Sequence, residues 1–119
     1  MPEGIYKTPG FRTDVIAHLA LTVNYPNDFD LKNARLEKRT NLGSDILVHG
    51  SQWSTGCLAM GNPCIEELFV LAYDTGLDKI KLVFAPCDLR KKEPQIDFAK
   101  QPKWLPGLYK QIKNELQII

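Results

Sequence analysis

The chain has 119 residues, 44% of them hydrophobic and 24% charged, with a formal net charge of +1. That length fits one domain over residues 1–119 with a small core, and the near-neutral balance gives no strong pull toward nucleic acid or an anionic membrane, so no nucleic-acid partner is expected. No apolar run reaches the roughly 20 residues of a membrane-spanning helix, and the opening MPEGIYKTPGF lacks the basic and apolar regions of a secretory signal, so read literally the chain is cytosolic.

The Pro- and Gly-rich opening predicts turns around a short extended piece. In VIAHLALTVNY, residues 15–25, Val15, Ala17, Leu19, Leu21, Val23 and Tyr25 would share one face of a strand. Ile16, His18, Ala20, Thr22 and Asn24 would form the other, half apolar and half polar, which predicts a strand buried on one side and partly covered on the other. The PND that follows is turn chemistry. Residues 28–44 are polar and aperiodic and read as a long loop with at most one helical turn, a length that is often functional in a compact domain. DILVHG then reads as a short buried strand ending at a His-Gly pair.

Residues 63–75 carry the clearest helical pattern. Asn62 suits the N-cap and Pro63 the first helical position. Glu66 and Glu67 lie toward the positive end of the helix dipole. Ile65, Leu68, Phe69 and Ala72 follow i, i+3, i+4, i+7 spacing, and Gly76 suits the position after the helix. KIKLVFAP, residues 79–86, alternates like a strand. Residues 88–102 read as a polar loop whose Arg90-Lys91-Lys92 run is solvated. Trp104, Leu108, Ile112 and Leu116, at steps of four, predict a C-terminal helix. The sum is a strand-led α+β domain.

The chemistry concentrates in VHGSQWSTGCLAM, residues 48–60, in a chain with two histidines and three cysteines. A thiol becomes a strong nucleophile as its thiolate, and an adjacent imidazole lowers its pKa from about 8.5 to roughly 3–4 in the best cases. Acyl transfer also needs donors aimed at a developing oxyanion, which backbone N–H groups beside a glycine supply. His49 at a strand end and Gly56-Cys57 at the tip of a returning loop provide both. Taken singly, Cys57 reads more readily as a buried structural thiol and His49 as a satisfied core histidine. No histidine follows Cys57, which excludes the papain-like order. Ser54 stands in WSTGC rather than in G-x-S-x-G, which excludes a serine nucleophile elbow. A histidine-then-cysteine enzyme fits.

The remaining histidine and thiols read as structural. His18 sits on the partly polar strand face, Cys64 packs in the first turn of a helix, and Cys87 is an inert thiol. Whether Cys64 and Cys87 pair stays open. There is no CxxC and no ligand spacing for zinc, so no metal site is expected.

HGSQWSTGCLAM resembles the signature of the L,D-transpeptidase catalytic domain (YkuD type), which runs His-Gly, a variable spacer, then Ser-x-Gly-Cys. More narrowly it is similar to the YafK-like branch, with a short spacer, a Gly-Cys-x-Ala-Met ending and a helix beginning near DPxIEEIY. GCLAMGNPCIEELF follows that pattern. PEGIY and VNYPNDFD resemble the branch's Pro-Glu-Gly-x-Tyr and Tyr-Pro-Asn-x-x-Asp segments, so the resemblance runs from Pro2 to about Pro86.

The resemblance implies a mainly β domain with a few helices and no cofactor. It makes Cys57 the nucleophile, His49 its general base and the Gly50 carbonyl the third member. It also makes the N–H groups of Gly56 and Cys57 the oxyanion hole and Ser54 a brace for the loop. Ser54, Trp53 and Thr55 are then the substrate-side residues, with Trp53 either lining the groove or pinning the loop. The implied substrates are peptidoglycan stem peptides, whose acyl group is held on the cysteine as a thioester and passed to an amine or to water. The implied location is the periplasm or cell envelope.

Two departures shape the expectation. Many family members carry Arg two residues after the cysteine, where it is thought to hold substrate carboxylate; here that residue is Ala59. The YafK-like branch shares this and includes hydrolases that release a lipoprotein from peptidoglycan, which favours hydrolysis. The family's strands before Pro-Glu-Gly are absent, so the chain is expected to be a fragment or a short form truncated at its N-terminus. The alternatives are a non-catalytic peptidoglycan-binding module on a decayed fold and a toxin-like effector using the same chemistry.

Overall fold

The structure is a computed structural model that describes residues 2–16, 18–52, 54 and 56–118. Its described elements are α+β: strands β1 (Gly4–Lys7), β2 (Phe11–Arg12), β3 (Ala20–Thr22), β4 (Leu47–His49), β5 (Leu58–Ala59) and β6 (Lys81–Phe84), and helices α1 (Asp28–Leu36), α2 (Asn62–Thr75) and α3 (Leu105–Leu116). The chain divides into two compact units, one of Tyr6–Leu82 and one of Pro2–Ile5 with Val83 onward. The three helices hold more residues than the six strands, so the expectation of a mainly β domain is corrected. Left-handed turns and short helical turns cut the extended runs to between 2 and 4 residues.

In the first unit, a four-stranded sheet runs in the order β2-β3-β4-β5. Its first two pairings are antiparallel, with Phe11 opposite Leu21, Arg12 opposite Ala20, Ala20 opposite His49 and Leu21 opposite Val48. The last is parallel, with Val48 opposite Leu58 and His49 opposite Ala59. Because side chains alternate along a strand, two rows face opposite ways. The row Phe11, Leu21, Val48, Leu58 meets α2, where the Phe11 and Phe69 rings lie 4.5 Å apart. Leu21, Val48, Ile65 and Ala72 are buried there, with Leu68 and Phe69 half-buried, as the stripe spacing predicts. The row Arg12, Ala20, His49, Ala59 faces away from that helix.

Several expectations are corrected. Residues 15–25 are not one strand: His18 takes φ +80 and its N–H bonds the Val15 carbonyl, so the strand proper is Ala20–Thr22. Residues 28–44 are not mainly loop, since α1 spans Asp28–Leu36. The Asn27 side chain accepts the Asp30 N–H while the Asp30 carboxylate accepts the Asn27 N–H, a reciprocal cap for two of the donors a helix start leaves over. Only Asn33 and Ala34 of that helix are buried, so it shows almost no apolar period. The cap of α2 is Gly61, not Asn62, and the strand expected over 79–86 is Lys81–Phe84, because Leu77–Lys79 coil into a 3-10 turn.

Strands β1 and β6 pair as a separate two-stranded sheet. In the second unit, α3 buries Leu105, Leu108, Tyr109 and Ile112, with Phe98 edge-on to Tyr109 at 6.0 Å. The predicted helix is present, and its buried stripe takes in Leu108 and Ile112 of the steps-of-four series, while Trp104 and Leu116 at the ends of that series are half-buried. Four residues overshoot a 3.6-residue turn by about 40°, so such a series drifts off the buried face.

Candidate active site

His49 closes β4 and is 6% exposed. Its Nδ1 bonds the Gly50 carbonyl. A carbonyl can only accept, so Nδ1 is the donor, and in the neutral imidazole Nε2 is then the acceptor nitrogen. The turn after His49 is tied down on both sides. The Gly50 N–H reaches the Leu19 carbonyl, the Met60 N–H reaches the His49 carbonyl, and the Gly61 N–H reaches the Ser51 carbonyl. Ser51 takes φ +66, and its N–H is received at 2.9 Å by the side chain of Asn62. The residue read as a helix cap therefore holds the turn behind the histidine.

Cys57 stands just before β5. The Ser54 hydroxyl oxygen accepts the Cys57 N–H at 2.7 Å and the Gly56 N–H at 3.2 Å. Gly56 has φ +146, a conformation that side chains rarely adopt, and open space where a Cβ would lie. Glycine is needed there for the backbone rather than for room. The Cys57 thiol accepts the Leu47 N–H at 3.3 Å and donates to the Asp45 carbonyl at 3.5 Å, with Asp45 itself at φ +56.

The register relates these groups. His49 is opposite Ala59 in the parallel pair. Cys57 lies two residues before Ala59, in the bend that leads into β5, where its thiol meets backbone groups of Leu47 and Asp45. The structure brings His49 against Gly50, and it brings Ser54, Gly56 and Cys57 together. The thiol's hydrogen-bond partners among the described residues are Asp45 and Leu47, not His49. Trp53 and Thr55 lie outside the described residues. The parts played by Asp45 and Asn62 were missed by sequence reasoning, because each enters through a contact between segments rather than local pattern.

His18 is exposed, sits in the left-handed turn before β3 and pairs with Glu66 of α2 at 2.8 Å, rather than lying on a strand face. All three cysteines are free, which answers the Cys64 and Cys87 question; Cys64 is exposed rather than packed. Among the described residues, no group of three or more His, Cys, Asp or Glu could hold a metal ion, and no helix is long and apolar enough to cross a membrane. A cavity of about 580 Å³ lies elsewhere in the first unit, lined by Lys7, Asn24 and Lys81 among others, and takes in neither His49 nor Cys57.

No protein-family model matches the chain, and no curated protein matches it. Among solved structures it is similar to Bd1075 of Bdellovibrio bacteriovorus, with a TM-score of 0.53 and 20% identity over 99% of this chain. The chain spans 40% of Bd1075's length, and the likeness is one of fold.

Proposed function

We propose that the protein is a cysteine-dependent L,D-transpeptidase-like enzyme of the YkuD type, acting on peptidoglycan stem peptides in the cell envelope and favouring hydrolysis over cross-linking. The observation that carries this reading is the Nδ1 bond of His49 to Gly50, on the strand paired with β5, the strand that Cys57 leads into. It supports the His-Gly and Ser-x-Gly-Cys reading by giving the histidine the backbone-carbonyl partner that the resemblance implies. Ala59 in place of a cation beside the nucleophile supports hydrolysis.

In this mechanism the Cys57 thiol leaves the Asp45 carbonyl and gives its proton to Nε2 of His49. The thiolate attacks the carbonyl carbon at the L-centre of diaminopimelate. Ser54 swings off the Gly56 and Cys57 N–H groups, which then receive the oxyanion. The C–N bond breaks, the proton on His49 goes to the leaving amine, and a thioester remains. Water, or an acceptor amine, gives a proton to His49 and adds to the thioester carbonyl. The C–S bond breaks and the proton returns to the thiolate. A lipoprotein joined to peptidoglycan is a candidate substrate of the same chemistry.

A second reading has its own support. The thiol bonded to Asp45 and the two N–H groups occupied by Ser54 suit a non-catalytic peptidoglycan-binding module on a decayed fold. Intact-mass measurement after incubation with a stem tetrapeptide separates the two. The enzyme carries the acyl group on Cys57 and releases product. No adduct and no product, with Cys57→Ala indistinguishable from the wild type, overturns the enzymatic reading.

A further inference from the structure

The cavity of about 580 Å³ in the first unit lies where three short segments meet: the end of β1, the chain just after β3, and the 3-10 turn that runs into β6. Its volume is that of a small-molecule site. Backbone bonds fix these segments. The Asn24 N–H bonds the Lys7 carbonyl at 3.1 Å, and the Lys7 N–H bonds the Asn24 side-chain oxygen at 2.7 Å. The Lys79 and Ile80 N–H groups close the 3-10 turn on the carbonyls of Gly76 and Leu77.

The charge on this wall is one-sided. Lys7, Lys79 and Lys81 line the cavity against the single carboxylate of Asp78. The whole chain has a net charge of only +1, so this is a local concentration of cations. A concave surface with one sign of charge draws the opposite ion. The neutral groups match. Lys7 occupies the Asn24 oxygen, which leaves that side chain its NH2 to donate. Thr8 also lines the cavity and is 2% exposed, and its buried hydroxyl has no hydrogen-bond partner among the described residues. Buried hydroxyls are nearly always bonded, so an orphan in a wall of cations points to an acceptor supplied from outside the chain. Leu77 and Ile80 give the same wall a half-buried apolar part.

We propose that this cavity binds a small phosphate dianion, free or as a monoester. Lys7, Lys79 and Lys81 surround the phosphate, the Asn24 NH2 donates to it, and the Thr8 hydroxyl turns about χ1 to do the same. The body of a monoester lies against Leu77 and Ile80. Ammonium groups act as point charges, which suits a phosphate carrying about 1.5 to 2 negative charges better than a singly charged, planar carboxylate. The site takes in neither His49 nor Cys57 and does not depend on the acyl-transfer reading.

Amide NMR of the labelled full chain tests this, with phenyl phosphate, inorganic phosphate and acetate titrated at matched ionic strength. Phenyl phosphate should shift the amides of Lys7, Thr8, Asn24 and residues 77–81 saturably, and bind about tenfold or more tightly than acetate. Equal binding of inorganic phosphate at these amides supports the proposal with free phosphate as the ligand, and weaker binding supports it with a monoester. The double variant Lys7→Gln/Lys79→Gln should lose the binding. Thr8→Val should weaken it about threefold to tenfold without lowering the melting temperature, because the hydroxyl it removes has no bond in the fold. No saturable shift with either phosphate, or acetate binding as tightly, overturns the proposal. Wild-type affinity in the folded double variant or in Thr8→Val does so too.

Discussion

The Ser54 hydroxyl oxygen lies 2.7 Å from the Cys57 amide nitrogen and 3.2 Å from that of Gly56, so one side chain receives both N–H groups that an oxyanion would need. These bonds also close the turn that carries the thiol into β5. Ser54→Ala removes the acceptor and leaves both donors to solvent. We expect a loss of about 1 kcal/mol in stability and faster amide exchange at Gly56 and Cys57 than at residues of β4. Hydrogen-exchange mass spectrometry checks this, and unchanged exchange at both residues would contradict the bonding.

Tyr6 is 1% exposed and donates its hydroxyl to Asp30 at 2.8 Å. Asp30 also receives the Asn27 N–H at the start of α1, so the phenol supports a helix cap. Burial and the Asp30 carboxylate push the Tyr6 phenol well above its ordinary range. The neutral form is the one favoured in the fold. Its contribution is therefore full below the unfolded pKa of about 10 and is lost as pH rises toward the folded value. Tyr6→Phe should lower stability by about 1–3 kcal/mol at neutral pH and flatten the decline above pH about 10. Urea midpoints at both pH values measure this, and an unchanged alkaline slope would count against the Tyr6–Asp30 bond.

In the second unit, Arg90 grips both oxygens of Asp88 at 2.9 and 3.0 Å. Hydrogen bonds from that guanidinium hold the Asp88 carboxyl down at about 2. The sign is opposite to that of Tyr6: the pair contributes above the ordinary carboxylate pKa of about 4 and fades as pH falls through the depressed value. A carboxyl-carbon titration by NMR should place the Asp88 midpoint near 2 and return it toward about 4 in Arg90→Gln. A wild-type midpoint already near that ordinary value would show that the fork is not formed in solution.

How far the sequence could be read follows from where each signal resides. The α2 stripe is local, and Ile65 and Ala72 are buried as its spacing implies. Helix α1 buries only Asn33 and Ala34, so its polar run hides a helix held by the Asn27–Asp30 cap. The broken strand at His18 was hidden because a histidine, not a glycine, takes the left-handed turn. The candidate site shows the same division. The histidine, cysteine and two glycines stand within one stretch. The thiol's contacts with Asp45 and Leu47, and the row from Arg12 to Ala59, depend on a register between strands that no local pattern encodes. A single letter could not show that Asn62 would hold Ser51 rather than cap its own helix.

The central claim is that Cys57 and His49 perform acyl transfer on a stem peptide. Mass spectrometry of muropeptides after incubation with the wild type, Cys57→Ala and His49→Ala tests it most directly, because it reports the bond and the acceptor together. The account predicts that the wild type shortens tetrapeptide stems by their terminal residue, with water as the main acceptor, and that each variant loses activity by about 10³-fold or more. An unaltered muropeptide profile with the wild type, or equal product from Cys57→Ala, would contradict it.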